Sequence, residues 1–133
     1  MLFGKDKTAP QATAPREPVA GTPIFDVTTE DFEERVIKGS MDGLVLAEFW
    51  APWCGPCKQL GPVLEKLVHS YGGKVKLAKV NLDENEQLAA ALRVQSVPTV
   101  YAFLGGRPVD ASQGVLPESH IKAFIDKALE AAR

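Results

Sequence analysis

The feature that most constrains this chain is an apolar run leading directly into a pair of cysteines at the start of an amphipathic helix. Leu44 to Trp50 is apolar on both faces, with Glu48 as the one interruption, the pattern of a strand buried in the middle of a sheet. Trp53-Cys54-Gly55-Pro56-Cys57 follows, and then Leu60, Val63, Leu64, Leu67 and Val68 fall on one face of a 3.6-residue period. A strand that feeds a helix start places Cys54 among backbone N–H groups that lack intrahelical partners. Those amides and the helix dipole favour a thiolate, so Cys54 is expected to be the nucleophile, with a pKa below the free thiol value of about 8.5. Cys57 lies one turn deeper on the same face and is expected to be the buried resolving thiol. Pro56 is tolerated because first-turn N–H groups have no partner to lose.

Cys54 and Cys57 are the only cysteines. A bridge between them closes almost no loop, so it contributes little as a staple, and its worth lies in reactivity or in metal binding. The zinc alternative takes Cys54, Cys57 and His69 as three ligands of a finger. The fourth would fall near Gly73-Lys74-Val75, which offers none, and His120 is far along the chain. A structural zinc needs four ligands at workable spacing. No metal and no cofactor is therefore expected, and both histidines are expected at the surface.

With 133 residues there is room for one domain. Residues 1–23, with Pro10, Pro15, Pro18 and Pro23 among Ala and Thr, carry no apolar period and are expected to form a flexible tail. The folded domain is expected over 24–133. Ile24 to Val27 is a short apolar run. Thr28 as an N-cap, with acids behind it, predicts a helix over Thr29 to Ile37, broken by Gly39 and Gly43. Further on, Val75 to Leu82 alternates as a strand and Glu86 to Leu92 is a short Ala-rich helix. Thr99 to Leu104 and Pro108 to Gln113 are strands joined by Gly105-Gly106, and a last helix carries Ile121, Phe124, Ile125, Ala128 and Leu129 on one stripe. The order β-α-β-α-β-α-β-β-α implies an α/β fold, a mixed central sheet with helices on both faces. The formal net charge of −2 gives no field that recruits nucleic acid or a membrane surface. Met1 to Lys7 has charges without an apolar run behind them, and the apolar stretch from Leu44 to Pro52 is too short to span a bilayer. A cytoplasmic location is the expectation.

The run Trp50-Ala51-Pro52-Trp53-Cys54-Gly55-Pro56-Cys57-Lys58 closely resembles the active-site segment of the thioredoxin family, and the likeness extends from Phe25 to about Leu129. The resemblance implies the thioredoxin fold and protein thiol–disulfide exchange, with protein disulfides as substrates and a thioredoxin reductase as electron donor. It further implies that Val97-Pro98-Thr99 forms the loop whose cis-proline lies beside the disulfide. By the same likeness Pro62 matches the proline inside the active-site helix, Lys79 the lysine beneath the active site, and Gly114 the glycine bordering the substrate groove. Trp53, Gly55, Pro56, Val97 and Gly114 would form an apolar rim for extended polypeptide. One departure concerns the carboxyl below the disulfide, for which the family usually has aspartate and this chain has Glu48. A buried carboxyl there relays a proton if burial raises its pKa; otherwise it only pairs with Lys79.

Pro98-Thr99-Val100-Tyr101, Gly106-Arg107-Pro108-Val109-Asp110 and Gln113-Gly114 also resemble the thioredoxin domain of bacterial co-chaperone thioredoxins, the chaperedoxins, in which a tetratricopeptide region follows. That likeness implies a second role class, a rim that holds unfolded client proteins with exchange secondary.

Overall fold

A computed structural model describes residues 22–131. The tail expected over 1–23 lies outside those residues except for Thr22 and Pro23, whose carbonyl accepts the Leu77 N–H at 2.7 Å. Five strands form one sheet: β1 (Ile24–Asp26), β2 (Leu44–Trp50), β3 (Val75–Asn81), β4 (Thr99–Leu104) and β5 (Arg107–Gln113), in the order β1-β3-β2-β4-β5. β1, β3 and β2 run parallel, while β4 is antiparallel to β2 and β5 antiparallel to β4. The apolar run that reads as a central strand is central: six consecutive residues of β2, Leu44 to Phe49, are buried. Beside Pro108, which has no ladder N–H to give, the β4–β5 register shifts between Ala102 and Phe103.

The alternation of β2 divides the core. Leu44 and Leu46 pack with Val75, Leu77, Val100 and Ala102 against α1 (Gly55–Ser70) and α3 (Glu118–Glu130). Leu60, Leu64, Leu67 and Val68 of α1 are buried there with Ile121, Ile125 and Ala128 of α3. Each buried Leu or Ile side chain is worth about 1.5–3 kcal/mol of removal from water, so this stripe fixes where α1 lies. Val45, Ala47 and Phe49 face the other way, onto Phe32, Val36 and the buried Ala89 of α2 (Glu86–Ala91). Glu48 shares the parity of Leu44 and Leu46, and therefore points at α1.

The helix predicted over Thr29 to Ile37 is corrected. The segment Glu33–Ile37 is a single wide turn in which the Lys38 N–H reaches the Glu33 carbonyl at 2.9 Å, followed by a tight turn at Gly39–Met41. Thr28 does not cap by accepting; its own N–H and hydroxyl donate to Asp31 Oδ1 at 2.7 and 3.2 Å. So short a segment, with β-branched Val36 and Ile37 and then Gly39, cannot sustain an α-helix alone. Tertiary bonds shape it instead. Asn85 Oδ1 takes the N–H and the hydroxyl of Thr29, and Arg35 reaches the Asp26 carbonyl at 2.9 Å while lying 4.4 Å above the Phe25 ring. The five strands and α2 match expectation within a residue at each end, α1 and α3 carry the expected apolar stripes, and an unexpected 3-10 turn follows β3 at Leu82–Glu84.

Candidate active site

At the end of β2 the chain turns through Ala51-Pro52-Trp53, where the Cys54 N–H donates to the Ala51 carbonyl at 3.1 Å. Cys54 is the N-cap of α1, with extended backbone, and its Sγ accepts the Cys57 N–H at 3.1 Å. The capping role, usually filled by a side-chain oxygen, is filled here by sulfur. Gly55 and Pro56 make the first turn, and Cys57 sits one turn in, bridged to Cys54 with a Cα–Cα separation of 5.3 Å. Both cysteines are buried, in a small cluster with Ala51 against which Trp50, Leu82 and Val97 pack.

Above the bridge, Trp53 is 66% exposed, and its indole N–H points at both carboxylate oxygens of Asp83 at 3.1 Å. Asp83 is itself held by its N–H, which donates to Asn81 Oδ1 at 2.9 Å. The Val97–Pro98 peptide is cis, and the Pro98 carbonyl accepts the Gly114 N–H at 2.9 Å. Gly114 has φ +81°, a left-handed conformation that other residues adopt only with strain, so glycine belongs there. That single bond ties the cis-proline to Gly114, one of the expected rim positions. Among the described residues, the backbone N–H and carbonyl of Val97 have no partner, which leaves them available to an extended chain.

Below the bridge the chemistry changes. Glu48 is 1% exposed, and its Oε1 is buried with no hydrogen-bond partner among the described residues. It borders a cleft of about 310 Å³ shared with Cys57, Lys58, Gly61, Glu65 and Lys79. Burial pushes the Glu48 carboxyl up to about 7; Lys79 opposes that rise and the charge of Glu65 adds to it. Lys79 stands beside Glu48 in the parallel register of β2 and β3, as expected, but its ion pair is with Glu65 Oε2 at 2.5 Å. Burial disfavours the Lys79 ammonium, yet Glu65, Glu48 and Asp26 together raise its pKa above the usual lysine value. The direct Glu48–Lys79 pair, weighed above as the alternative to a relay, is thus replaced by a Lys79–Glu65 pair.

Asp83 and Glu65 were not singled out in the sequence. The signal for Glu65 was present: Cys57, Gly61 and Glu65 recur at i, i+4 and i+8, a stripe on the cysteine side of α1. Asn81 before Leu82-Asp83 is a turn-capping signal, but nothing local says that Asp83 meets Trp53, thirty positions away. His69 lies exposed in the last turn of α1, twelve residues and about 18 Å along the axis from Cys57, out of reach of a shared metal.

A vicinal dithiol at a helix start, with a cis-proline loop against it and a buried carboxyl behind it, defines a thiol–disulfide oxidoreductase. The family model described as Thioredoxin matches residues 23–127. Similar curated proteins include Thioredoxin 1 of Nostoc sp., 40% identical over 103 residues, 77% of this chain and 94% of that protein. Thioredoxin of Staphylococcus haemolyticus is 42% identical over 106 residues, covering 80% of this chain and 98% of the relative. Thioredoxin of Chlorobaculum thiosulfatiphilum is 42% identical over 103 residues, covering 77% and 94%. The chain belongs to the thioredoxin family, as a thioredoxin-type disulfide reductase that takes protein disulfides as substrates and a reductase as partner.

Proposed function

We propose that Cys54 attacks and Cys57 resolves, with Glu48 accepting the proton that Cys57 must lose. The Cys54 thiolate attacks one sulfur of a substrate disulfide; that bond breaks, a Cys54–substrate disulfide forms, and the other substrate sulfur leaves as thiolate. Cys57 then passes its proton across the cleft to the Glu48 carboxylate and attacks Cys54 Sγ. The mixed disulfide breaks, the second substrate sulfur departs, and the Cys54–Cys57 bridge remains. Two electrons have moved to the substrate. A thioredoxin reductase is the donor we assign to restore the dithiol, and the cytoplasm is the compartment that suits that cycle.

The observation that carries this reading is the unpaired, buried Glu48 carboxyl on the cleft that also reaches Cys57. A general base works best with a pKa near the operating pH, and burial brings Glu48 to about 7. Around the sulfurs, Trp53, Gly55, Pro56, Val97 and Gly114 hold the substrate chain, with Val97 presenting its free backbone N–H and carbonyl. Relatives named as thioredoxins favour exchange over the holding of unfolded clients. Reduction of insulin with dithiothreitol or a thioredoxin reductase as donor tests the activity. We expect precipitation of the freed B chain well above background. A background rate, with the bridge shown to be reducible, would shift the reading to client holding.

A further inference from the structure

We propose that Glu65 is a positioning residue: it anchors the Lys79 ammonium on α1 and so holds it off Glu48, leaving that carboxyl unpaired toward the cleft. The inference rests on the reading of Glu48 as the acceptor of the Cys57 proton.

The geometry begins with the sheet. Glu48 and Lys79 are register partners on adjacent parallel strands and share the face covered by α1. A buried carboxylate beside an ammonium ordinarily draws it into a direct pair, because an unpaired buried charge is costly. Here the ammonium is taken up by Glu65 instead, and it also lies 5.9 Å from the ring of Trp50, two residues beyond Glu48 on the same strand. Glu65 can do this because it is two turns along from Cys57 on one stripe of α1, with Gly61 between them. A Cβ added at Gly61 would meet nothing within 4 Å, so the helix leaves open space between the cysteine and the ion pair. The Lys79 and Glu65 side chains are 23% and 36% exposed, whereas Glu48 is 1% exposed. The pair therefore stands nearer to solvent than the carboxyl it flanks.

The charged and titratable groups facing Glu48 are Lys79 from β3 and Cys57, Lys58 and Glu65 from α1. Its β4 neighbour, Val100, brings none, and Asp26 on β1 acts on Lys79 rather than on Glu48. A carboxylate locked onto an ammonium is a weak proton acceptor, since the partner stabilises its charged form. By occupying Lys79, Glu65 removes that direct partner, and its own negative charge pushes Glu48 the same way. Loss of Glu65 removes both influences at once.

Two readouts on the full chain test this: carbon-13 NMR titration of the Glu48 carboxyl, and single-turnover resolution of the mixed disulfide from about pH 5 to 9. In Glu65→Gln the Glu48 midpoint should fall by about one pH unit. Resolution should become faster than wild type on the acid side, where more Glu48 is ionised, and slower on the alkaline side, where the base is weaker. The two profiles should cross, which a purely structural defect would not produce. Both changes should vanish when Glu65→Gln is made on Glu48→Gln. An unmoved or raised midpoint, or an unshifted profile, overturns the role of Glu65 provided that Glu48→Gln itself slows resolution. If Glu48→Gln leaves resolution unchanged at every pH, it is the relay that fails.

Discussion

The two sides of the Cys54–Cys57 bridge differ in charge: titratable side chains gather on the inner side, while apolar side chains and backbone face outward. Outward stand the exposed indole of Trp53, the Gly55-Pro56 turn between the cysteines, and Val97, which packs against them and has free backbone groups. Inward, Cys57 borders a cleft walled largely by Trp50, Ala51, Pro52 and Pro62, into which Glu48, Glu65, Lys58 and Lys79 bring charge. The outer side is suited to recognising backbone and apolar surface of many chains. The inner side is suited to moving one proton under control, because a buried carboxyl responds strongly to each neighbouring charge. In the proposed mechanism, substrate handling and proton handling are separated by the thickness of a single disulfide. Variants on the two sides should fail in different ways.

The largest effects belong to the sulfurs. Cys57→Ser should still form the mixed disulfide but not resolve it, lowering insulin turnover by about a thousandfold or more and trapping substrate on Cys54. Turnover close to wild type in that variant would dissolve the division of labour between the two thiols.

Next comes the inner carboxyl. Burial lifts the Glu48 carboxyl from its ordinary value of 4.5 to about 7 in the fold. Below the lower value both folded and unfolded states are protonated, and the group contributes nothing to the pH dependence. As pH climbs between the two values the folded state holds the extra proton, so stability falls with rising pH and levels off above the higher one. Glu48→Gln lacks this slope, so its stability relative to wild type should improve by roughly 3 kcal/mol between acid and alkaline pH. Urea unfolding of the oxidised proteins at the two extremes measures the gap. A constant gap would mean that Glu48 titrates normally.

The outer rim should give a smaller, purely binding effect. Trp53→Ala is expected to raise KM for a protein disulfide by about tenfold, while the resolution step keeps its pH dependence. Asp83→Asn should do the same more weakly, since it loosens the indole without removing it. A change in the resolution profile from either variant would show that the two sides are coupled. Smallest of all is Gly61→Ala. A helix-interior glycine with open space at its Cβ position should gain about 0.5–1 kcal/mol of stability on acquiring a methyl.

What the sequence reveals follows the same division. β2, α1 and the placement of the two cysteines at the start of α1 are legible because periodicity and a helix start are local properties. Thr99 to Leu104 is legible because Val97-Pro98 and Gly105-Gly106 bracket it. The segment from Thr29 to Ile37 reads as a helix because its acids and Thr28 satisfy every local rule; its wide turn is set by Asn85 and Asp26, which are distant in sequence. Glu48 and Lys79 are legible as neighbours through strand alternation. Which carboxylate takes the ammonium depends on how α1 is seated, and that is decided by Leu60, Leu64, Leu67 and Val68 in the core. The Trp53–Asp83 contact likewise needs the β3 end and the turn after β2 to meet in space.

The division between an attacking outer sulfur and a resolving inner one is tested most directly by alkylation. The reduced protein is treated briefly with a limiting thiol reagent near neutral pH, and the labelled cysteine is identified by peptide mapping. Cys54, as the N-cap of α1, should be modified first, with its rate levelling off at a pH below that of a free thiol, about 8.5. Preferential labelling of Cys57 would contradict the assignment of both sulfurs.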